Sequence, residues 1–305
     1  MALNETALYS LSVEEEIPDE ALAADLVGFN VHGSQWPFFL VQTYTEIRHI
    51  QGLAYLLGPE QPVVAVNPPR GELREDFPRR DIAWSNYALE RLDRLGYQGP
   101  WRLGGWSFGG AIALRLGKLL ADNGQDVQSV VLFDTVCPDL SRSAHRLRPR
   151  NPIHRLAKSV NEYFERPEEE GVDTFKKLVA AGRKRLGGSK KKRLVQRRDQ
   201  MGFLQRAIHV AYLNYERFEF KGPVALLWTD ETMKAKRDLS LGWHEYIRGP
   251  FFSQRVGEGH TEMWMEPHVQ KVAQACEFFL ACEASRGSAV IPGSEPNSNA
   301  QSSSA

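Results

Sequence analysis

A chain of 305 residues, 42% hydrophobic and 25% charged with zero formal net charge, is long enough to bury a sizeable core, as one large α/β domain or two small ones. It has no apolar run near the ~20 residues a membrane-spanning helix requires, and its N-terminus has neither the basic start nor the apolar segment of a secretory signal. Its three cysteines, Cys137, Cys276 and Cys282, have no metal or redox spacing and are odd in number, so no metal site or disulfide framework is expected and a reducing cytoplasm is the expected location.

Residues 1–24 are acidic and helix-leaning and read as an N-terminal extension without recognisable chemistry. Leu26–Val31 reads as a buried strand that runs into the turn His32-Gly33-Ser34-Gln35, followed by an apolar and aromatic stretch from Trp36 to Val41. Gln61–Val66 is a further strand ending in Asn67-Pro68-Pro69. Asp81 to Leu95 carries apolar residues at three- and four-residue steps and predicts a helix.

Trp101-Arg-Leu-Gly leads as a short strand into Gly105-Trp106-Ser107-Phe108-Gly109, after which Ala111 to Leu120 has helical spacing. The five residues fit G-x-S-x-G, a strand-to-helix elbow that presents a nucleophilic serine. A serine forced into unusual backbone geometry needs neighbours without a Cβ, so that strand and helix can approach closely. Val127–Phe133 is the next buried strand and ends at Asp134. Alternating strands and helices imply a parallel sheet with crossover helices, and such sheets carry their sites at the strands' carboxyl ends, where Ser107 and Asp134 both fall.

Between Ser141 and Arg206 the chain carries 19 Lys and Arg against 7 Asp and Glu, including Lys190-Lys191-Lys192-Arg193. Strand character returns with Gly222–Trp228 and Phe251–Val256. A loop, Gly257–Trp264, and an amphipathic helix from His268 to Cys282 follow. Residues 283–305, rich in Gly, Ser, Asn and Pro, hold too little apolar surface to order themselves and read as a disordered tail.

An acyl-transfer serine needs an imidazole to take its proton and a carboxylate to fix the tautomer. Of the eight histidines, His260 is the one in a glycine-flanked loop after a terminal strand, in the order serine, acid, histidine. His49 and the others lie in helical or charged contexts that suit packing or solvation. The acid is Asp134, with Asp230, after the next strand, as the alternative. The second oxyanion donor is expected at the turn after the early strand, so that the amides of Phe108 and Ser34 would share the oxyanion.

Gly104-Gly-Trp-Ser-Phe-Gly-Gly110, Leu132-Phe-Asp-Thr135 and Gly259-His-Thr-Glu-Met263 together resemble the thioesterase domains that end polyketide and nonribosomal peptide synthesis. The resemblance covers residues 25–282. It implies an α/β-hydrolase fold, a mostly parallel sheet flanked by helices, with a helical lid inserted at about 140–218. It also implies Ser107 as nucleophile, His260 as base and Asp134 as its orienting acid. Where such domains often have a proline after the position of His32, this chain has Gly33.

The substrate implied is an acyl, polyketide or peptidyl chain on the phosphopantetheine of a carrier protein or of CoA, released by hydrolysis or cyclisation. No separate cofactor is implied. The chain opens with Met1 and has no carrier or condensing sequence, so it reads as a free-standing enzyme or an excised domain. The basic segment reads either as a dock for an acidic acyl or peptidyl carrier protein, through Lys190, Lys191, Lys192 and Arg193, or as a solvated helical lid. It has few aromatics for stacking bases, which speaks against nucleic acid. The alternatives are a carboxylesterase or lipase acting on a soluble ester, and a catalytically silent binding protein of the same fold.

Overall fold

The computed structural model describes residues 3–44, 47–70, 77–140, 202–236 and 238–284. Eight strands are present: β1 (Tyr9–Leu11), β2 (Leu26–Phe29), β3 (Phe38–Val41), β4 (Val63–Val66), β5 (Trp101–Trp106), β6 (Val127–Phe133), β7 (Val224–Thr229) and β8 (Phe251–Gly257). They form one sheet in the order β1-β2-β4-β3-β5-β6-β7-β8. From β4 to β8 every pair is parallel, and β2 runs antiparallel to β4. The helices are α1 (Asp19–Ala23), α2 (Arg48–Leu57), α3 (Asp81–Asp93), α4 (Phe108–Asp122), α5 (202–213), α6 (Asp230–Lys236) and α7 (His268–Ala284). Among the described residues no helix is long and apolar enough to cross a membrane.

Central parallel strands are covered on both faces, so they are written as continuous apolar runs, and β3 and β4 are buried at all four positions. Alternation along β5 and β6 divides the core in two. Trp101, Leu103, Val130 and Leu132 face a cluster shared with α3, α4 and α5. Trp106, Val131 and Phe133 face one shared with α2 and α7. The edge strands β1 and β8 alternate exposed and half-buried residues over most of their length.

Two sequence expectations need correction. The boundary drawn after residue 24 left the N-terminal segment outside the domain. Tyr9–Leu11 instead pairs with Val27–Phe29 as the first strand of the sheet, with Leu11 and Ala21 in the core. Second, the aromatic stretch after Trp36 contains strand β3, which moves the strand whose carboxyl end faces the elbow from β2 to β3.

Between β6 and β7 the chain makes a long excursion whose two ends are both described. On the departing side the Trp243 indole donates to the Thr135 carbonyl at 2.7 Å and the Tyr246 hydroxyl to Asp139 at 2.6 Å. On the returning side Arg115 of α4 and Asp81 of α3 form a buried ion pair at 2.6 Å. Arg115 also donates to the Glu216 carbonyl, and Asp81 accepts the Glu216 amide. The expected lid, its basic run Lys190–Arg193 and the expected tail lie largely or wholly outside the described residues.

Candidate active site

Ser107 stands between β5 and α4 with φ 55° and ψ −125°, a conformation an L-residue holds only under constraint. Its amide donates to the Phe133 carbonyl of β6 at 2.9 Å. The glycines around it are sterically required. A Cβ on Gly105 would lie 2.3 Å from the Gly109 backbone, and one on Gly109 would lie 2.4 Å from the Val41 carbonyl oxygen. The start of α4 is therefore pressed against the carboxyl end of β3.

Asp134 follows β6, also at positive φ (45°), and is 1% exposed. Its Oδ1 accepts the Thr229 amide at 2.9 Å. Its Oδ2 accepts the Thr229 hydroxyl at 2.9 Å, the Thr232 hydroxyl at 2.6 Å and His260 Nδ1 at 2.6 Å. His260 follows β8 and is 5% exposed. Nδ1 is committed to the carboxylate, and Nε2 is buried with no hydrogen-bond partner among the described residues. Its ring stacks on Trp106 at 5.0 Å and 29°. Trp106 in turn meets the rings of His49 at 5.4 Å and Trp264 at 6.1 Å. His49 is enclosed by these apolar rings, and burial pushes its imidazole down to about 3.

The three residues read from the sequence as serine, acid and base thus follow β5, β6 and β8 at one edge of the sheet. Asp230 does not share in this. Both its carboxylate oxygens face the Arg255 guanidinium, at 2.7 and 2.6 Å, and that hydrogen bonding holds its carboxyl below the usual range.

Ser34 is misplaced by the sequence reading. Its amide and hydroxyl both donate to the Glu60 carboxylate, at 3.2 and 2.6 Å, beside the amino ends of β3 and β4. That is the opposite edge from Ser107, a strand length of roughly 13 Å away. The reason is the hidden strand: the early strand before His32 is β2, and β4 and β3 both stand between it and β5, the strand of the elbow. The backbone that adjoins the start of α4 is the segment after β3. There the Gln42 amide is committed to the Val66 carbonyl at 2.9 Å, and Thr43 is 2% exposed with a buried hydroxyl that has no hydrogen-bond partner among the described residues. Thr229, Thr232 and the Trp106 stack were also missed. The one signal for them was the polar run after β7, read as a rival acid.

An eight-stranded, mostly parallel sheet with a strained serine elbow and a buried Asp–His pair at its carboxyl edge defines the α/β-hydrolase class. Within it, residues 53–280 match the thioesterase domain family, and the chain belongs to that family. Thioesterase pytI of Aspergillus terreus is 33% identical over 84 residues, which is 26% of this chain and 27% of that protein's length. Among solved structures, the NocB thioesterase domain, in covalent complex with a fluorophosphonate nocardicin G analogue, superposes with a TM-score of 0.57 at 21% identity, over 84% of this chain and 99% of that one. The surfactin thioesterase domain SrfTE superposes at 0.56 with 17% identity, over 84% and 95%. The last two likenesses concern the fold.

Proposed function

We propose that this chain releases an acyl, polyketide or peptidyl chain from a phosphopantetheine thioester through an acyl-enzyme on Ser107. The observation that carries the reading is the buried Asp134–His260 hydrogen bond, which leaves Nε2 unpartnered at the edge where Ser107 is held in its elbow. His260 Nε2 takes the serine proton as Oγ attacks the thioester carbonyl, and Asp134 keeps Nδ1 protonated throughout. The oxyanion is received by the Phe108 amide, the first of α4, and by backbone at Thr43–Tyr44 in place of Ser34. Each such donor contributes about 10²–10³ in rate. The thiol leaves with the proton from Nε2. Water, or a nucleophile within the acyl chain, then resolves the ester by the same proton route in reverse.

The carrier is an acyl or peptidyl carrier protein, with Lys190 to Arg193 as its dock, and the reaction belongs to the cytoplasm, where the buried thiols of Cys137 and Cys276 remain unpaired. Mass spectrometry of the enzyme with acyl-pantetheine, and separately with a fluorophosphonate, tests the reading. The expected result is an adduct on the Ser107 peptide, absent in Ser107→Ala, with a higher kcat/KM for the thioester than for the matching oxygen ester. Thioester turnover undiminished in Ser107→Ala would overturn it. A preference for the oxygen ester would favour a carboxylesterase.

A further inference from the structure

The last residue of β7 and the first turn of α6, Thr229-Asp230-Glu231-Thr232, commit all four side chains to one task. The hydroxyls of Thr229 and Thr232 donate to Asp134 Oδ2, and the Thr229 amide donates to Oδ1. The Glu231 carboxylate accepts the backbone amide of His260 at 3.0 Å, while its own amide donates to the Glu258 carbonyl at 2.8 Å. Asp230 grips Arg255 of β8, the strand that leads into the His260 loop. Acid and base are 126 residues apart in the chain and meet through one hydrogen bond, and this turn is bonded to both.

We propose that Thr232 and Glu231 are positioning residues that hold the Asp134 carboxylate and the His260 loop in register, acting through the base and never on the substrate. The proposal rests on the reading of Ser107, Asp134 and His260 given above. A carboxylate's terminal torsion is broad, so a single bond to the imidazole would leave it free to rotate. The base must keep Nδ1 protonated while Nε2 accepts and returns a proton twice per turnover, and misplacement on the scale of an ångström costs such a site heavily. The two hydroxyls bond the same carboxylate oxygen as the imidazole, and the Thr229 amide holds the other, so the carboxylate cannot turn about its terminal torsion. The Glu231 acceptor fixes the backbone that carries the ring.

The test compares isosteric loss with conservative rescue in the full-length protein: Thr232→Val against Thr232→Ser, and Glu231→Ala against Glu231→Gln, which keeps an acceptor oxygen. Steady-state kinetics on acyl-pantetheine, the downfield proton resonance of the Nδ1–H hydrogen bond and the melting temperature are read for each. In Thr232→Val and Glu231→Ala, kcat is expected to fall about tenfold, equivalent to about 1.4 kcal/mol, with KM within about twofold. The downfield resonance should broaden or move. The Ser and Gln variants should return to near the parental rate. Parental kcat in Thr232→Val and Glu231→Ala would overturn the proposal, as would equal losses in the rescue variants. If Ser107→Ala keeps full activity, the underlying reading fails instead, and the two failures are told apart by that control.

Discussion

Ser107 and Asp134 both leave the end of a strand at positive φ, a strain of about 1–3 kcal/mol each that the surroundings must hold in place. Each is strapped to the neighbouring strand by its own amide, Ser107 to Phe133 and Asp134 to Leu227. Asp134→Ala should lose on the order of 10⁴ in kcat, as removal of a triad acid does. Asp230→Ala should lose no more than about tenfold, because its carboxylate serves Arg255, and steady-state kinetics on both variants check the contrast. Trp106 also bears on the proposed reaction. There the His260 ring would become a cation, stacked on the indole face, as it takes the serine proton, a contact worth about 0.5–2 kcal/mol. Trp106→Leu should therefore slow single-turnover acylation about two- to thirtyfold, and Trp106→Phe much less. That Ser107, Asp134 and His260 follow strands at one edge of the sheet was legible because each sits in a short pattern after an apolar run. The indole was not, since G-x-S-x-G leaves its position open, and only the folded loop after β8 brings the imidazole onto it.

Strands β2 and β4 to β8, with α3, α4 and α7, were legible from apolar runs and helical spacings. Strands β1 and β3 and helix α2 were not. β1 has three residues in an acidic segment, and β3 has no turn signal separating it from the aromatic residues before it, so its neighbour β2 was credited with the oxyanion turn. Since β1 covers an edge of the sheet and Leu11 and Ala21 fill core, a chain starting at residue 25 should melt at a lower temperature than the parent or fail to fold, as thermal unfolding will show. At the elbow, Gly109→Ala would set a methyl 2.4 Å from the Val41 carbonyl oxygen. The helix start must then shift, and fluorophosphonate labelling of Ser107 should slow at least tenfold even where circular dichroism is unchanged.

Across the molecule, one buried group ties stability to acidity. His49 sits at 6% exposure between Trp106 and Trp264, held near 3 against an ordinary value of about 6.5, so the fold carries it neutral. As pH falls below about 6.5 the unfolded chain takes up a proton that the folded one refuses, so its penalty on stability grows down to about pH 3 and is absent at neutral pH. At pH 5 it amounts to about 2 kcal/mol. His49→Phe should accordingly flatten the fall in denaturant-measured stability between pH 7 and 5. The excursion between β6 and β7 leaves and re-enters on footings of its own: Trp243 and Tyr246 on one side, the Asp81–Arg115 pair on the other. Both footings lie outside residues 141–201, so replacing that span with a relative's should leave fluorophosphonate labelling of Ser107 at the parental rate, as mass spectrometry of the labelled peptide will show.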